Sequence, residues 1–177
     1  MQESIAQQNG LSAQTDYQYD ELNRLTQLSD GQNTLSFSYD KVGRLLYPNL
    51  FLFRELEPKA TIENIKEIES YLEAKLPSIY VEFQKTFGGG GFGFTELFSV
   101  VPDSEYYVLG IQSNINIIDN GFFPIFDDQT GGVYCLKKID SYFLDEIYYI
   151  DFSSPDMSIS VVKEKFISLF NKLAFNL

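Results

Sequence analysis

A chain of 177 residues with a 44% apolar share is long enough for one domain of ordinary size plus an appendage. Its 13 basic residues stand against 25 acidic ones, and a net charge of −12 argues against the basic footprint of a nucleic-acid binder while steering the protein toward basic partners. Histidine is absent, which removes the commonest general base and zinc ligand, so the chain is expected not to be an enzyme and to need no cofactor or metal.

The start, MQESIAQQNG, has neither the basic region nor the apolar core of a secretory signal, and no apolar run approaches 18 residues. A lone cysteine, Cys135, cannot close an internal disulfide and reads as a small buried residue in the run VYCL. Cytoplasm is the expected location, with no membrane contact.

Residues 1–46 are polar and repetitive. YQYDELNRL (17–25) returns as FSYDKVGRL (37–45), aligning Tyr19 with Tyr39, Asp20 with Asp40, Arg24 with Arg44 and Leu25 with Leu45. A fixed period of this kind marks a stacked strand–turn–strand unit. The segment resembles the YD repeats of Rhs proteins, Y-x-Y-D-x-x-G-R-L, with Asn23 in place of the glycine in the first copy. In that family many repeats build a β shell around a toxin. Two copies leave most of an apolar face unstacked, so this leader is expected to be a remnant, a loosely held hairpin or a disordered arm.

Residues 47–177 read as an α+β domain. Thr61 can cap a helix carrying Ile62, Ile65, Ile68, Leu72 and Leu76 at spacings of three and four. Pro77 fits the first position of a second helix, whose buried stripe is Ile79, Phe83 and Phe87. Gly88 then suits a helix end with positive φ. The run FGGGGFGF (87–94) contains G-x-G-x-x-G spacing, but a dinucleotide loop must follow a strand and open a helix. Here a helix comes first, so the glycines read as a helix stop and a flexible lead into a sheet. FGFTELFSV, YYVLGI, FFPIF, VYCLKKI and IYYIDF, separated by turn signals, predict an antiparallel meander. SVVKEKFISLFNKL predicts a closing helix with Val162, Phe166, Leu169, Phe170 and Leu173 on one face. The expected architecture is an antiparallel sheet with helices on one side.

IESYLEAKLPSIYVEFQKTFGGGGFGFTELFSV resembles the opening of the SUKH superfamily, whose best-known members are the fungal Smi/Knr cell-wall regulators. FFPIFDDQTGGVYCLKKI (122–139) is similar to its later apolar-Pro-apolar strand and acidic Gly-Gly turn. Val133 replaces the Asp usual after that Gly-Gly, and Phe87-Gly88 replaces the usual Asn-Gly. The resemblance covers roughly residues 55–175. It implies a protein-binding module; in bacteria such domains are similar to immunity proteins that neutralise a toxin domain, and the Rhs-like leader points to the same system.

Candidate toxin-binding residues are the carboxylates Asp119, Asp127, Asp128, Asp140, Asp145, Glu146 and Asp151, with Asp156 beyond them, several of them in turns between strands. Tyr106, Tyr107 and Tyr142 are aromatic anchors, together with Tyr148 and Tyr149, which point to opposite faces of one strand. D-D-Q-T-G-G lacks the terminal Glu of an EF-hand loop, and Asp145 and Glu146 as strand neighbours point apart, so neither calcium nor paired-carboxylate catalysis is expected. The expected partner is a toxin C-terminal domain, met by a monomer or weak homo-oligomer; the rival expectation is a scaffolding module for an endogenous protein.

Overall fold

The computed structural model describes residues 16–29, 34–39, 45–46, 53–152 and 158–175. It is an α+β structure built on one antiparallel meander. Seven strands, β6 (Phe53–Leu56), β7 (Gly90–Phe92), β8 (Thr95–Leu97), β9 (Phe122–Asp127), β10 (Gly132–Ile139), β11 (Tyr142–Asp151) and β12 (Ser158–Val162), lie side by side in sequence order. Short turns at 128–131 and 140–141 join β9 to β10 and β10 to β11, whereas two helices (62–72 and 78–87) lie between β6 and β7 and another (112–119) between β8 and β9.

Helix α1 (Ile62–Leu72) begins as its sequence dictates. Thr61 accepts from the Asn64 N–H at 3.2 Å, and Asn64 reciprocates on the Thr61 N–H at 3.0 Å, a full capping box. Ile65, Ile68 and Leu72 are buried, whereas Ile62 is exposed. Helix α2 (Ser78–Phe87) starts one residue after Pro77, which is the cap rather than the first helical residue. Its Tyr80, Phe83 and Phe87 meet rings from the sheet and from α4 (Phe166–Phe175): Phe83 lies 5.3 Å from Phe166 and 4.9 Å from Phe170, and Phe126 stacks on Phe166 at 5.3 Å. Edge-to-face and offset rings fill this layer, which is where the chain's many phenylalanines go.

One polar side chain sits inside that layer. Gln84 is buried, and its amide donates to the Phe98 carbonyl (2.8 Å) and accepts from the Val100 N–H (3.3 Å). Tyr80 donates to the same Phe98 carbonyl at 3.1 Å. A loop that would bury orphaned backbone groups is thereby satisfied from α2.

The glycine run is packed, not flexible. Gly88 has φ 77°, and a Cβ there would lie 2.6 Å from the Pro58 carbonyl oxygen. Gly90 and Gly91 are buried in β7. Gly93, at φ 55°, brings the β7–β8 turn so close to α4 that a Cβ would come within 1.7 Å of the Ala174 carbonyl oxygen.

Two sequence expectations are corrected. YYVLGI forms no strand: Tyr107 makes an isolated bridge to Ser99, Val108–Gly110 is a 3-10 turn, and α3 (Gln112–Asp119) follows, contacting β9. The closing helix begins only at Phe166, because residues 158–162 pair with β11 as its last neighbour; Val162 belongs to a strand.

The leader also differs from expectation. Strands β1 (Asp16–Tyr19), β2 (Leu25–Ser29) and β3 (Thr34–Ser36) form a three-stranded sheet, with a short ladder between β4 (Ser38–Tyr39) and β5 (Leu45–Leu46). Asp20 closes the β1–β2 turn by accepting the N–H groups of Leu22 (3.0 Å) and Arg24 (2.9 Å), while Asn23 takes φ 58°. Arg24 bonds back to Asp20 and lies 4.3 Å over the ring of Tyr39, whose hydroxyl donates to the Leu25 carbonyl. Arg24 of the first segment thus rests on Tyr39 of the second. Asp40 and Arg44 lie outside the described residues. Leu25 and Leu28 are buried in the same core as the helices, and the Phe37 ring lies 5.0 Å from Phe87. Residues 16–29 and 34–39 therefore pack as part of the folded body, not as a loose arm.

Candidate partner-binding surface

The strand registers decide which candidate residues meet. Strand β10 makes seven steps from Gly132 to Ile139, about 23 Å at the usual rise. At its first end lie Asp127, Asp128 and Asp151, because Gly132 pairs with Asp151 and Val133 with Asp127; Glu96, opposite Asp127 on β8, joins them. At the far end lie Asp140, exposed in the β10–β11 turn, and Tyr142; Asp119, exposed at the end of α3, is tied there by the Lys138 N–H bond to the Gly121 carbonyl. Asp145 and Glu146 sit along β11, half-buried and exposed respectively. Tyr106 and Tyr107 are half-buried in the loop after β8, where Tyr107 feels Glu67 and Tyr71 of α1. The candidates therefore divide among the two ends of the sheet, the length of β11 and the loop after β8. Asp156 lies outside the described residues.

The first end is the organised one. Asp128 Oδ1 accepts the N–H groups of Thr130 (2.8 Å) and Gly132 (2.9 Å), and its Oδ2 accepts the Tyr149 hydroxyl at 2.7 Å. Partial burial pushes its carboxyl up, but these donors together outweigh it and hold the group below the ordinary value. The same hydrogen bond, then burial, drives the Tyr149 phenol well above its ordinary value. A Cβ at Gly132 would sit 2.0 Å from the Tyr149 oxygen, so any side chain there would displace the tyrosine from this bond. Asp127 Oδ1 accepts the Gln129 N–H (2.6 Å), and the Gln129 side chain donates to Glu96 at 2.6 Å.

Beside this acidic end opens a shallow groove of about 410 Å³. Tyr134 and Tyr149, 4.9 Å apart, line it with Ser160, Val162, Leu169 and Lys172. Lys172 is held by Glu164 at the rim. Burial, then the Asp128 charge, keeps Tyr134 neutral. Neutral, amphipathic rings flanked by fixed carboxylates suit recognition of an apolar or cationic side chain. Cys135 cannot act as a nucleophile here, because burial raises its thiol far above neutrality.

On the opposite side of the same strands, Tyr148 packs edge-on against Phe122 at 5.6 Å, with Lys137 over its ring. Its hydroxyl donates to Glu146, which with burial raises the phenol to about 12. Neither Tyr148 nor Tyr149 is core; both are half-buried and line different surfaces. Tyr134, Glu96, Gln129 and Lys172 were not singled out from sequence. Alternation within VYCLKKI could have marked Tyr134 as the neighbour of a β11 tyrosine, but only the register selects Tyr149.

A helix-backed antiparallel sheet of this kind defines a domain of the α+β class. The SMI1-KNR4 cell-wall family model, SUKH_6, matches residues 62–170, and the chain belongs to this family. The match begins at α1 and ends inside α4, so it contains the groove lining except Lys172 and leaves the leader outside. No curated protein matches the chain. Among the described residues, no helix is long and apolar enough to cross a membrane.

Proposed function

We propose that this protein is an immunity module that binds a toxin domain made by the same cell or its kin and covers that domain's basic cleft, in the cytoplasm, one to one and without catalysis. Family membership supports a protein-binding role, and the leader's likeness to YD repeats supports an Rhs-type toxin as the partner. A nuclease is the favoured target, since a cleft built for phosphates is basic. The observation that carries the reading is the meeting of Glu96, Asp127, Asp128 and Asp151 at one end of the sheet, where Asp128 is bonded to Tyr149 of the groove, on a chain of net charge −12. Carboxylates would accelerate encounter and the tyrosines would anchor it, over roughly 800 Å² per partner.

The test is native mass spectrometry and stopped-flow binding with the C-terminal tip of an Rhs-type toxin from a strain that carries this protein. An equimolar complex is expected, with an on-rate that falls with salt and falls at least tenfold on Glu96→Lys with Asp127→Lys. A tight complex indifferent to both changes would remove the charge-led mechanism, and protection at substoichiometric protein would remove occlusion. The family's cell-wall description favours a second reading, a scaffold for an endogenous protein, which predicts no complex with that tip.

A further inference from the structure

The acidic end of the sheet and the tyrosine groove share one hydrogen bond. Tyr149 stands opposite Tyr134 on β10 and Ser160 on β12, so its register places it in the groove. Its ring also leans one diagonal step along β10, from Tyr134 toward Gly132. There a Cβ would lie 2.0 Å from the hydroxyl oxygen and 2.4 Å from Cε2. Glycine leaves that space open, and the hydroxyl donates across it to Asp128 Oδ2 at 2.7 Å.

The carboxylate that receives it is held in turn. Its Oδ1 accepts the Thr130 and Gly132 N–H groups, and the Asp128 N–H donates to the Gly132 carbonyl at 3.2 Å. Tyr134 has no such tether: among the described residues its hydroxyl makes no hydrogen bond, and its ring lies 4.9 Å from that of Tyr149 with the planes 46° apart.

We propose, on the footing that this groove binds a partner, that Asp128 is its positioning residue: through the Tyr149 hydroxyl it fixes both tyrosine rings and couples the acidic turn to the groove. Because the phenolic proton is given to Asp128, what Tyr149 offers a partner is the face of a ring already in place. Ordering a mobile side chain on binding costs affinity, and a pinned ring avoids that cost. Asp127, one residue earlier, is the internal comparison, since its Oδ1 accepts the Gln129 N–H and it has no bond to either tyrosine.

A direct action of the Asp128 charge on Tyr134 is the rival route. Tyr149→Phe separates the two, because it removes the phenol and leaves the Asp128 charge and its Thr130 and Gly132 bonds in place. Asp128→Asn keeps an oxygen for those two N–H groups but turns an amide NH2 toward Tyr149, which cannot accept the phenolic proton.

The test is fluorine NMR of the full chain with 3-fluorotyrosine at its 12 tyrosines, the Tyr134 signal being the one lost in Tyr134→Phe. Tyr149→Phe and Asp128→Asn should each move that signal, and the double variant should move it no further than Tyr149→Phe alone. Asp127→Asn should leave it in place. A Tyr134 signal unmoved in both single variants would show that packing alone holds the rings, and additive shifts would show that Asp128 acts through its field; either result overturns the proposal. In the complex with the Rhs-type toxin tip, Tyr149→Phe should weaken binding about two- to tenfold, and an unchanged affinity would remove the positioning role. The fluorine signals need no partner, so a tip that fails to bind removes the immunity reading while the coupling of Asp128 to the two rings stands.

Discussion

Replacing Leu28 with alanine asks whether the leader and the family domain form one cooperative unit. Leu28 lies in β2, opposite Tyr17 of β1 and Leu35 of β3, yet it is 0% exposed and sits in the same apolar cluster as α2, α4 and the meander. Truncating a fully buried leucine costs about 2–5 kcal/mol, from lost transfer energy and the cavity left behind. In a protein of this size each kcal/mol moves the midpoint by about 2–4 °C, so a cost of about 3 kcal/mol lowers Tm by roughly 6–12 °C. Calorimetry should show one transition, displaced as a whole. Leu22→Ala is the control, since Leu22 lies in the β1–β2 turn with 73% of its surface exposed and should move Tm by less than about 2 °C. A remnant that merely rests on the domain would melt by itself, and Leu28→Ala would then leave the main transition where it was. That outcome would refute the single core.

Two further substitutions test the fold and the acidic end. Gly93→Ala should destabilise by more than about 2 kcal/mol in urea titrations, because its Cβ would meet the Ala174 carbonyl at 1.7 Å and its φ of 55° disfavours a side chain; near-native stability would show that α4 does not seat on this turn. Asp128 titrates below its ordinary value of 3.8, so its contribution is complete above about pH 4 and is lost as pH falls through the depressed value. The stability gap between wild type and Asp128→Asn should accordingly be widest at pH 5–7 and close toward pH 3. A gap that does not change with pH would mean that the charge of Asp128 contributes nothing.

Local chemistry made α1 and α2 legible. The Thr61 cap, the Pro77 break and the apolar stripes act within a few residues, and the glycine after Phe87 is demanded by its own φ. The terminal segment misled because Val162, Phe166, Leu169 and Phe170 do fit a helical period. The β-branched run before Phe166 instead satisfies its backbone on β11, a pairing set by tertiary structure. Helix α3, QSNINIID, was illegible for the converse reason: Asn, Ser and Ile are indifferent helix formers, and burial of Asn114 and Ile117 holds it. The leader was misjudged because counting repeats considers only stacking on further repeats, whereas Leu25 and Leu28 found their cover on the following domain.

The candidate site was legible as chemistry and not as place. Its carboxylates could be assigned to turns, but which of them share an end depends on the shift in register between Tyr134 and Cys135 against β9 and between Leu136 and Lys138 against β11. The β8–β9 register separately puts Glu96 opposite Asp127, with Gln129 as the donor to both. Among the described residues neither Glu96 nor Asp127 pairs with a lysine or arginine, so a neutral amide stands where a cation would bind more strongly. Asp128 differs, since three donors already occupy it and fix the turn. A basic partner should therefore bond directly to Glu96 and Asp127, while Asp128 acts through its field and through Tyr149. Charge reversal at Asp128 would confuse lost recognition with a damaged turn. Reversal at Glu96 alone separates them, because the turn keeps its backbone bonds to Asp127 and Asp128 and gives up only the Gln129 side-chain bond, while an acceptor for an incoming cation is gone.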